Sequence, residues 1–407
     1  MKRNLLSILT LLGLLLSLVA NAQDTRDPNP VIISMPSLTI APDARAAGMA
    51  DIGAATNPDL NSQHWNPSKY AFMESQGGLT ANYTPWLTKL VSDINLAHIA
   101  GYYTIGEMAG TVSASFTYFD MGDVQLMAWD QNYEGSSLGT ATPNEWALDV
   151  AYSRKLHEYV SMGVTLRFLY SDMLNGVPQT SVGGFVNDVT PAWTMATDIS
   201  LYYRQPIALP MGESRLAVGF NLSNLGGKMT YNEGVNEHFI PANMRLGVSY
   251  ELPFDDYNRL SISADANKML VPTYNSKFAV DADGKELTGS EKETWYNNIS
   301  SPEGWWKSFC DAPMGAKEEF QEIQWALGLE YSYNRQFFAR AGYSHENFYK
   351  GNRRYVTLGA GFKLSIFSLD FAYCIATAPS NPLDQTMRFT LGFDLAGIKD
   401  LVNNTKE

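Results

Sequence analysis

From residue 77 to residue 395 the chain repeats one pattern: short segments of alternating apolar and polar side chains, joined by links that are short and long in turn. A period of two marks a strand with two unlike faces. Residues 159–172 place Val160, Met162, Val164, Leu166, Phe168 and Tyr170 on one face, and Ser161, Gly163, Thr165, Arg167 and Ser171 on the other. Residues 242–252 divide in the same way, Met244, Leu246, Val248, Tyr250 and Leu252 against Asn243, Arg245, Gly247, Ser249 and Glu251. The pattern recurs over 215–223, 259–267, 321–333, 355–363, 365–374 and 385–395, and less regularly over 77–84, 94–104, 108–119, 144–155, 193–204 and 336–345. The total is about fourteen, an even number, and most run roughly 9–12 residues, the span of a tilted membrane strand.

Alternation alone allows two architectures. The polar faces carry Asp149, Arg167, Asp198, Arg204, Arg245, Glu251, Asp265, Glu330, Arg340, Asp370, Arg388 and Asp394. A β-sandwich turns such residues to solvent, whereas a membrane barrel encloses them in a wet lumen. The links decide between them. Those at 105–107, 156–158, 206–212, 253–256, 334 and 364 are short, and between them lie 85–93, 120–143, 173–192, 225–241, 269–320, 346–351 and 377–384. Outer-membrane barrels have short turns at one mouth and longer loops at the other. A Greek-key sandwich has no reason to keep that order. The fold class expected is all-β: a transmembrane antiparallel β-barrel of about fourteen strands, with an N-terminal plug segment inside.

The leader agrees. Met1-Lys2-Arg3 is basic, residues 5–19 are apolar, and Ala20-Asn21-Ala22 is a small-residue cleavage site, so 1–22 reads as a secretory signal peptide. The residue directly after the cleavage site is Gln23 and not cysteine, which argues against a lipoprotein anchor. Removing the leader's two basic residues leaves 27 basic against 42 acidic, a net charge of −15 that should repel nucleic acid. No later stretch is apolar enough for a membrane helix. Mean hydropathy is only −0.19, yet aromatics make up 12% of the chain, with 22 Tyr and 9 Trp. That combination fits strands that are oily on one face only. Cys310 and Cys374 are too few for a disulfide scaffold, and their pairing is left open.

Residues 37–72 lack the period of two. They are rich in Ala, Gly, Asn, Asp and Pro, which favour turns and close backbone packing. An arm lying on the outside of the domain is one reading. The other is a plug, because a barrel of this width is not filled by the side chains of its own wall. The organisation expected is 1–22 leader, 23–76 arm and lumen plug, 77–395 barrel with its largest loop at 269–320, and 396–407 tail. With an even strand count both ends fall on the short-turn, periplasmic side, the loops are extracellular, and the plug enters from below.

The motif Ala41-Pro42-Asp43-Ala44-Arg45-Ala46-Ala47-Gly48-Met49, with Trp65-Asn66-Pro67-Ser68-Lys69-Tyr70-Ala71-Phe72, resembles the PorV family of outer-membrane proteins of the Bacteroidetes type IX secretion system. Pro143-Asn144-Glu145-Trp146-Ala147, Tyr152-Ser153-Arg154-Lys155-Leu156 and Leu383-Asp384-Gln385-Thr386-Met387-Arg388-Phe389 extend the likeness over the mature chain. The resemblance implies a cell outer-membrane protein without bond-making chemistry. Its implied partners are the C-terminal domains of secreted cargo proteins, the type IX translocon barrel (SprA/Sov-like), the sortase-like attachment complex (PorU-like) and outer-membrane lipid. Cargo would be bound on the extracellular loops and shuttled to the attachment complex. More distantly, Asn66-Pro67 is similar to the hatch of FadL-type fatty-acid channels, which gives the alternative of a FadL-like channel for small hydrophobic molecules. Those hatches usually continue with Ala-Gly, where this chain has Ser68-Lys69.

Candidate sites follow. In the plug, Asp43 and Arg45 are placed to pair with lumen charges, and Asn66 and Pro67 shape the hatch turn. In the loop 269–320, Trp295, Tyr296, Trp305, Trp306 and Phe309 stand among Gly, Pro and charged residues. Long loops of this kind are often functional, and Trp and Tyr lead interface hot spots, so these five are candidates for cargo or partner contact. The competing reading has them fold back over the mouth as a lid. Asp281-Ala282-Asp283-Gly284 resembles part of a calcium loop but lacks the closing Glu, and reads as a polar turn. Gly135-Ser136-Ser137-Leu138-Gly139 matches G-x-S-x-G without a strand–turn–helix frame, and reads as a flexible linker. The five histidines, 64, 98, 157, 238 and 345, have no metal-ligand spacing. No catalytic constellation, metal site or cofactor is expected, and an enzyme acting on lipid is a distant third class.

Overall fold

The computed structural model describes residues 28–106, 108–129, 135–177, 189–231, 237–378 and 383–395. The expected leader and tail lie outside the described residues. The strands in chain order are β1 (Gly77–Pro85), β2 (Asn95–Gly106), β3 (Gly110–Asp120), β4 (Val124–Trp129), β5 (Gly135–Ala141), β6 (Asn144–His157), β7 (Val160–Asp172), β8 (Ala192–Leu209), β9 (Gly212–Gly226), β10 (Met229–Thr230), β11 (Glu237–His238), β12 (Asn243–Pro253), β13 (Asn258–Met269), β14 (Gln324–Tyr333), β15 (Phe337–His345), β16 (Arg354–Lys363), β17 (Phe367–Ala376) and β18 (Met387–Asp394). Fourteen of them form one closed antiparallel barrel, each beside its neighbour in sequence, with β1 sealed against β18 from Gly78↔Asp394 to Tyr83↔Phe389. All fourteen expected segments are barrel strands. β4 with β5 and β10 with β11 form separate hairpins in two of the long connections.

The wall is inverted relative to a water-soluble protein. Leu166 is 61% exposed while Arg167, next in line, is 5% exposed. Leu79, Ile99, Val150, Leu246, Leu327, Leu358 and Leu391 also face outward, whereas Thr80, His98, Asp149, Asp265, Glu330 and Arg388 are buried. An apolar exterior around a charged interior suits lipid outside and a polar lumen within. Outward aromatics form bands near both mouths. Trp146 stacks on Tyr170 at 5.1 Å and Trp193 lies 6.0 Å from Phe168 at the long-connection mouth, while Phe337 meets Phe362 at 5.0 Å near the short turns. No described helix is long and apolar enough to cross a membrane.

Three expectations need correction. The link 206–212 is mostly strand, because β8 and β9 stay paired from Ile207↔Ser214 to Leu209↔Gly212. The G-x-S-x-G string is no flexible linker. It begins β5, whose Gly135 pairs with Trp129. The plug, finally, does not enter from the short-turn side. Asn29 donates its N–H to the Tyr349 carbonyl and Ser34 to that of Phe239, both in long connections. The chain then descends the lumen, and Leu60 lies beside Gly78 and Gly392 at the short-turn mouth, where β1 begins. The described N-terminal end and the end of β18 are therefore at opposite mouths.

Candidate functional site

The plug is made of turns and very short helices, Ala44–Ala47, Ser62–Trp65 and Pro67–Phe72, because its Gly, Asn and Pro residues break longer elements. Its shape comes from side-chain bonds. Asp43 caps Ala44–Ala47 by accepting the Ala46 N–H at 2.9 Å and the Trp65 indole N–H at 2.6 Å. Asp43 thus orders the plug internally and, among the described residues, pairs with no lumen charge. Asn66 donates to the Ala54 and Leu201 carbonyls at 2.9 and 3.0 Å, joining two plug turns to β8. Pro67 opens the last short helix, where a missing N–H costs nothing. Lys69, at the point where the sequence departs from the fatty-acid-channel hatch, is fully buried and donates to Gly53 O at 2.9 Å and Thr56 Oγ1 at 3.1 Å.

Arg45 does meet the wall. Its Nε and Nη2 grip Glu330 at 3.0 and 2.9 Å, and its Nη1 reaches Asp59 at 2.6 Å. Glu330 also accepts from Arg340 at 2.7 Å, and Arg340 continues to Asp370 at 2.6 Å. A five-member charge chain therefore ties the plug to β14, β15 and β17. Breaking a buried ion pair by removing one partner costs about 3–5 kcal/mol. On the opposite wall Arg167 holds Asp149 at 2.7 Å and Asp198 at 3.1 Å.

Where charges do not join plug to wall, bare backbone does. A Cβ on Gly219 would stand 1.9 Å from the Ala54 carbonyl oxygen, and one on Gly342 would stand 2.4 Å from the Met49 carbonyl carbon. Gly219 pairs with Gly247 across β9 and β12, and Ala54 fills the window between them. Of these, only Gly247 is placed on a polar face from the sequence, and none is read as a contact with the plug, because glycines look like weak strand positions; their inward register was the available signal.

The plug leaves space at each end. A cavity of about 490 Å³ lies toward the long connections, lined by Leu38, Trp65, Trp86, Arg245, Tyr355 and Arg388 among others. A second of about 470 Å³ lies toward the short turns, lined by Arg45, Arg204, Arg259 and Asp394 among others. The Arg245 guanidinium sits 4.5 Å from the Trp65 ring, over the plug.

Above the outer cavity the connection between β13 and β14 folds into helices Gly289–Asn298, Ser301–Lys307 and Ala316–Gln321. Its core is Val271, Tyr296 and Ile299, with Phe239 from a neighbouring connection, and Val31, Ile33, Tyr274 and Trp295 pack against it. The five aromatic candidates therefore divide. Tyr296 is only 3% exposed and donates its hydroxyl to the Pro272 carbonyl at 3.1 Å, so it is a packing residue and not a contact surface. Trp295 and Trp305 are half-buried. Trp306 is 77% exposed, and Phe309 faces solvent too. Phe320, 74% exposed, joins them as a residue outside the original set. Asp281 closes an exposed turn by accepting the N–H groups of Asp283 and Lys285, as a polar turn should. Cys310 and Cys374 are both free thiols.

The same loop brings together Asp311, Glu319 and Glu322, which no spacing in the sequence announced. Burial, with Glu322 and Glu319 alongside, pushes the Asp311 carboxyl up to about 7, against the opposing pull of the Thr273 N–H and Lys268. A carboxyl raised in the folded state stabilises the fold fully below its unfolded value, about 4, and that contribution is lost as pH rises through about 7. In chelating buffer the loop's protease resistance should fall between these limits and level off above them. Asp311→Asn should flatten the profile, which limited proteolysis across the range will measure.

A family model described as "Type IX secretion system protein PorV" matches residues 22–276, more than half of the chain. No curated protein sequence matches. Among solved structures, the chain is similar to the Pseudomonas putida toluene transporter TodX, at 9% identity, 90% of this chain, 98% of that one and a TM-score of 0.47. It is also similar to the Ralstonia pickettii toluene transporter TbuX, at 11%, 87%, 96% and 0.44. A Pseudomonas aeruginosa FadL homologue matches at 12%, 89%, 99% and 0.42.

Proposed function

The chain belongs to the PorV family of type IX secretion system proteins, and from that membership we propose that it is the cargo-binding barrel of the system. In this reading it sits in the outer membrane with its long connections outside, binds the C-terminal signal domain of secreted proteins there, and passes them from the translocon barrel to the sortase-like attachment complex. The observation that carries the reading, beyond membership, is where the chain offers surface. The middle of the lumen is taken up by a plug held through buried ion pairs, while the largest connection is a folded unit presenting Trp306, Phe309 and Phe320. A plugged barrel with exposed aromatics suits a docking platform better than a conduit. The plug residues Asp43, Arg45, Asn66 and Pro67 then keep the lumen closed and serve cargo binding only through stability. The leader 1–22, the arm and plug 23–76, the barrel 77–395 and the tail 396–407 are the corresponding parts.

The channel reading draws on one observation, the outer cavity of about 490 Å³ with its mixed lining. The two readings differ in one experiment. Deleting the gene should abolish secretion of the whole set of proteins bearing the C-terminal signal domain, and the tagged chain should co-purify with such domains and with the translocon. If secretion persists and only growth on an apolar carbon source fails, the channel reading replaces this one.

A further inference from the structure

We propose that Asp311, Glu319 and Glu322 form a divalent-cation site of calcium type at the root of the long connection between β13 and β14. One oxygen from each lies within 4.8 Å of the others. Calcium takes carboxylate oxygens at about 2.3–2.6 Å, so two oxygens on one ion lie at most about 5 Å apart, and these three can share one. The second observation is Asp311 itself. It is 1% exposed; its Oδ2 accepts the Thr273 N–H at 2.6 Å, and its Oδ1 has no partner among the described residues. A buried carboxylate oxygen left bare is costly, and such groups as a rule have a partner.

The charges leave room for an ion. Glu319 accepts the Ala312 N–H at 2.9 Å and Lys268 at 3.1 Å. Glu322 accepts Lys268 at 2.5 Å, Lys350 at 2.9 Å and the Thr273 hydroxyl at 3.2 Å. Glu318 adjoins the group and accepts Lys350 at 2.6 Å. With Asp311 ionised, four carboxylates therefore stand against two ammonium groups, an excess of two negative charges, which one divalent cation cancels. Lys268 already spans Glu319 and Glu322, so the ion comes in on the Asp311 side, where the bare oxygen is. The set is oxygen only, without sulfur or imidazole, which favours a hard cation over zinc or copper. It gathers the connection at both ends, near Thr273 and near Glu322, so a bound ion would clamp the unit that carries Trp306 and Phe320. The site stands whether or not the chain handles secreted cargo.

The test uses the full chain in detergent, stripped with chelator and titrated with calcium chloride by calorimetry, with terbium luminescence excited through tryptophan as a second readout. The wild type should bind one calcium saturably. Asp311→Asn and Glu319→Gln should each weaken binding at least tenfold while keeping the heat-modifiable gel mobility of a closed barrel. Asp281→Asn, in the exposed turn that resembles a calcium loop, should change nothing. If Asp311→Asn does not fold, Glu319→Gln decides. A wild type that binds no calcium, or equal binding in wild type, Asp311→Asn and Glu319→Gln, overturns the site, as does loss confined to Asp281→Asn.

Discussion

Replacing Gly219 with valine should unseat the plug and turn a closed barrel into a conducting one. The added Cβ would lie 1.9 Å from the Ala54 carbonyl oxygen, and the obstacle is backbone, which has no rotamer to escape into. A Cβ on Gly247 across the pair would lie 2.8 Å from that of Ala54, so the wall cannot give sideways either. Overpacking typically costs about 1–3 kcal/mol when side chains can adjust, and a clash with fixed backbone belongs at the upper end or beyond. The barrel closes through its own hydrogen-bonded ladders, so the loss falls on the plug. In planar bilayers the wild type should hold a low baseline conductance and Gly219→Val a rise of about tenfold or more, with the plug newly open to protease. Val218→Ile, one residue along and facing outward, should behave as wild type. Unchanged conductance in a folded Gly219→Val barrel would mean that plug and wall are not in contact there.

The barrel was legible because its physics is local. A strand with lipid on one face and water on the other must alternate, and the alternation over 159–172 or 242–252 survives in the sequence whatever the neighbours do. Turn lengths are equally local, and their rhythm carried the topology. The plug was legible in kind, from Ala/Gly/Asn composition, but not in direction. Whether it enters above or below depends on Asn29 bonding to Tyr349 and Ser34 to Phe239, contacts between residues hundreds of positions apart. The same holds for Arg45 with Glu330, while Asp311 and Glu319, only eight positions apart, meet through the fold of their loop. An acidic residue is written identically whether it faces water, a guanidinium or another carboxylate. Tyr296 and Trp306 show the limit most simply. Both are aromatic residues of one loop, yet helix Gly289–Asn298 turns Tyr296 into a core shared with Phe239, and helix Ser301–Lys307 turns Trp306 out.

That division makes the second large effect specific. Trp306→Ala combined with Phe320→Ala should abolish detectable co-purification of the C-terminal signal domain, whereas Tyr296→Phe should leave it intact. Trp306 and Phe320 are the most exposed aromatics of the unit, and neither belongs to its core. Truncating them therefore removes surface without opening a cavity. A hot-spot aromatic is worth about 2 kcal/mol or more, roughly thirtyfold in affinity, so two of them move a complex out of the range a pull-down retains. Tyr296→Phe gives up only the hydroxyl bond to Pro272, worth about 1 kcal/mol of loop stability. The pair separates recognition from folding. If the double variant keeps its heat-modifiable mobility and its cargo, the docking face lies on another connection. If Tyr296→Phe is the one that loses cargo, the loop acts through its fold, and the exposed aromatics are not the contact.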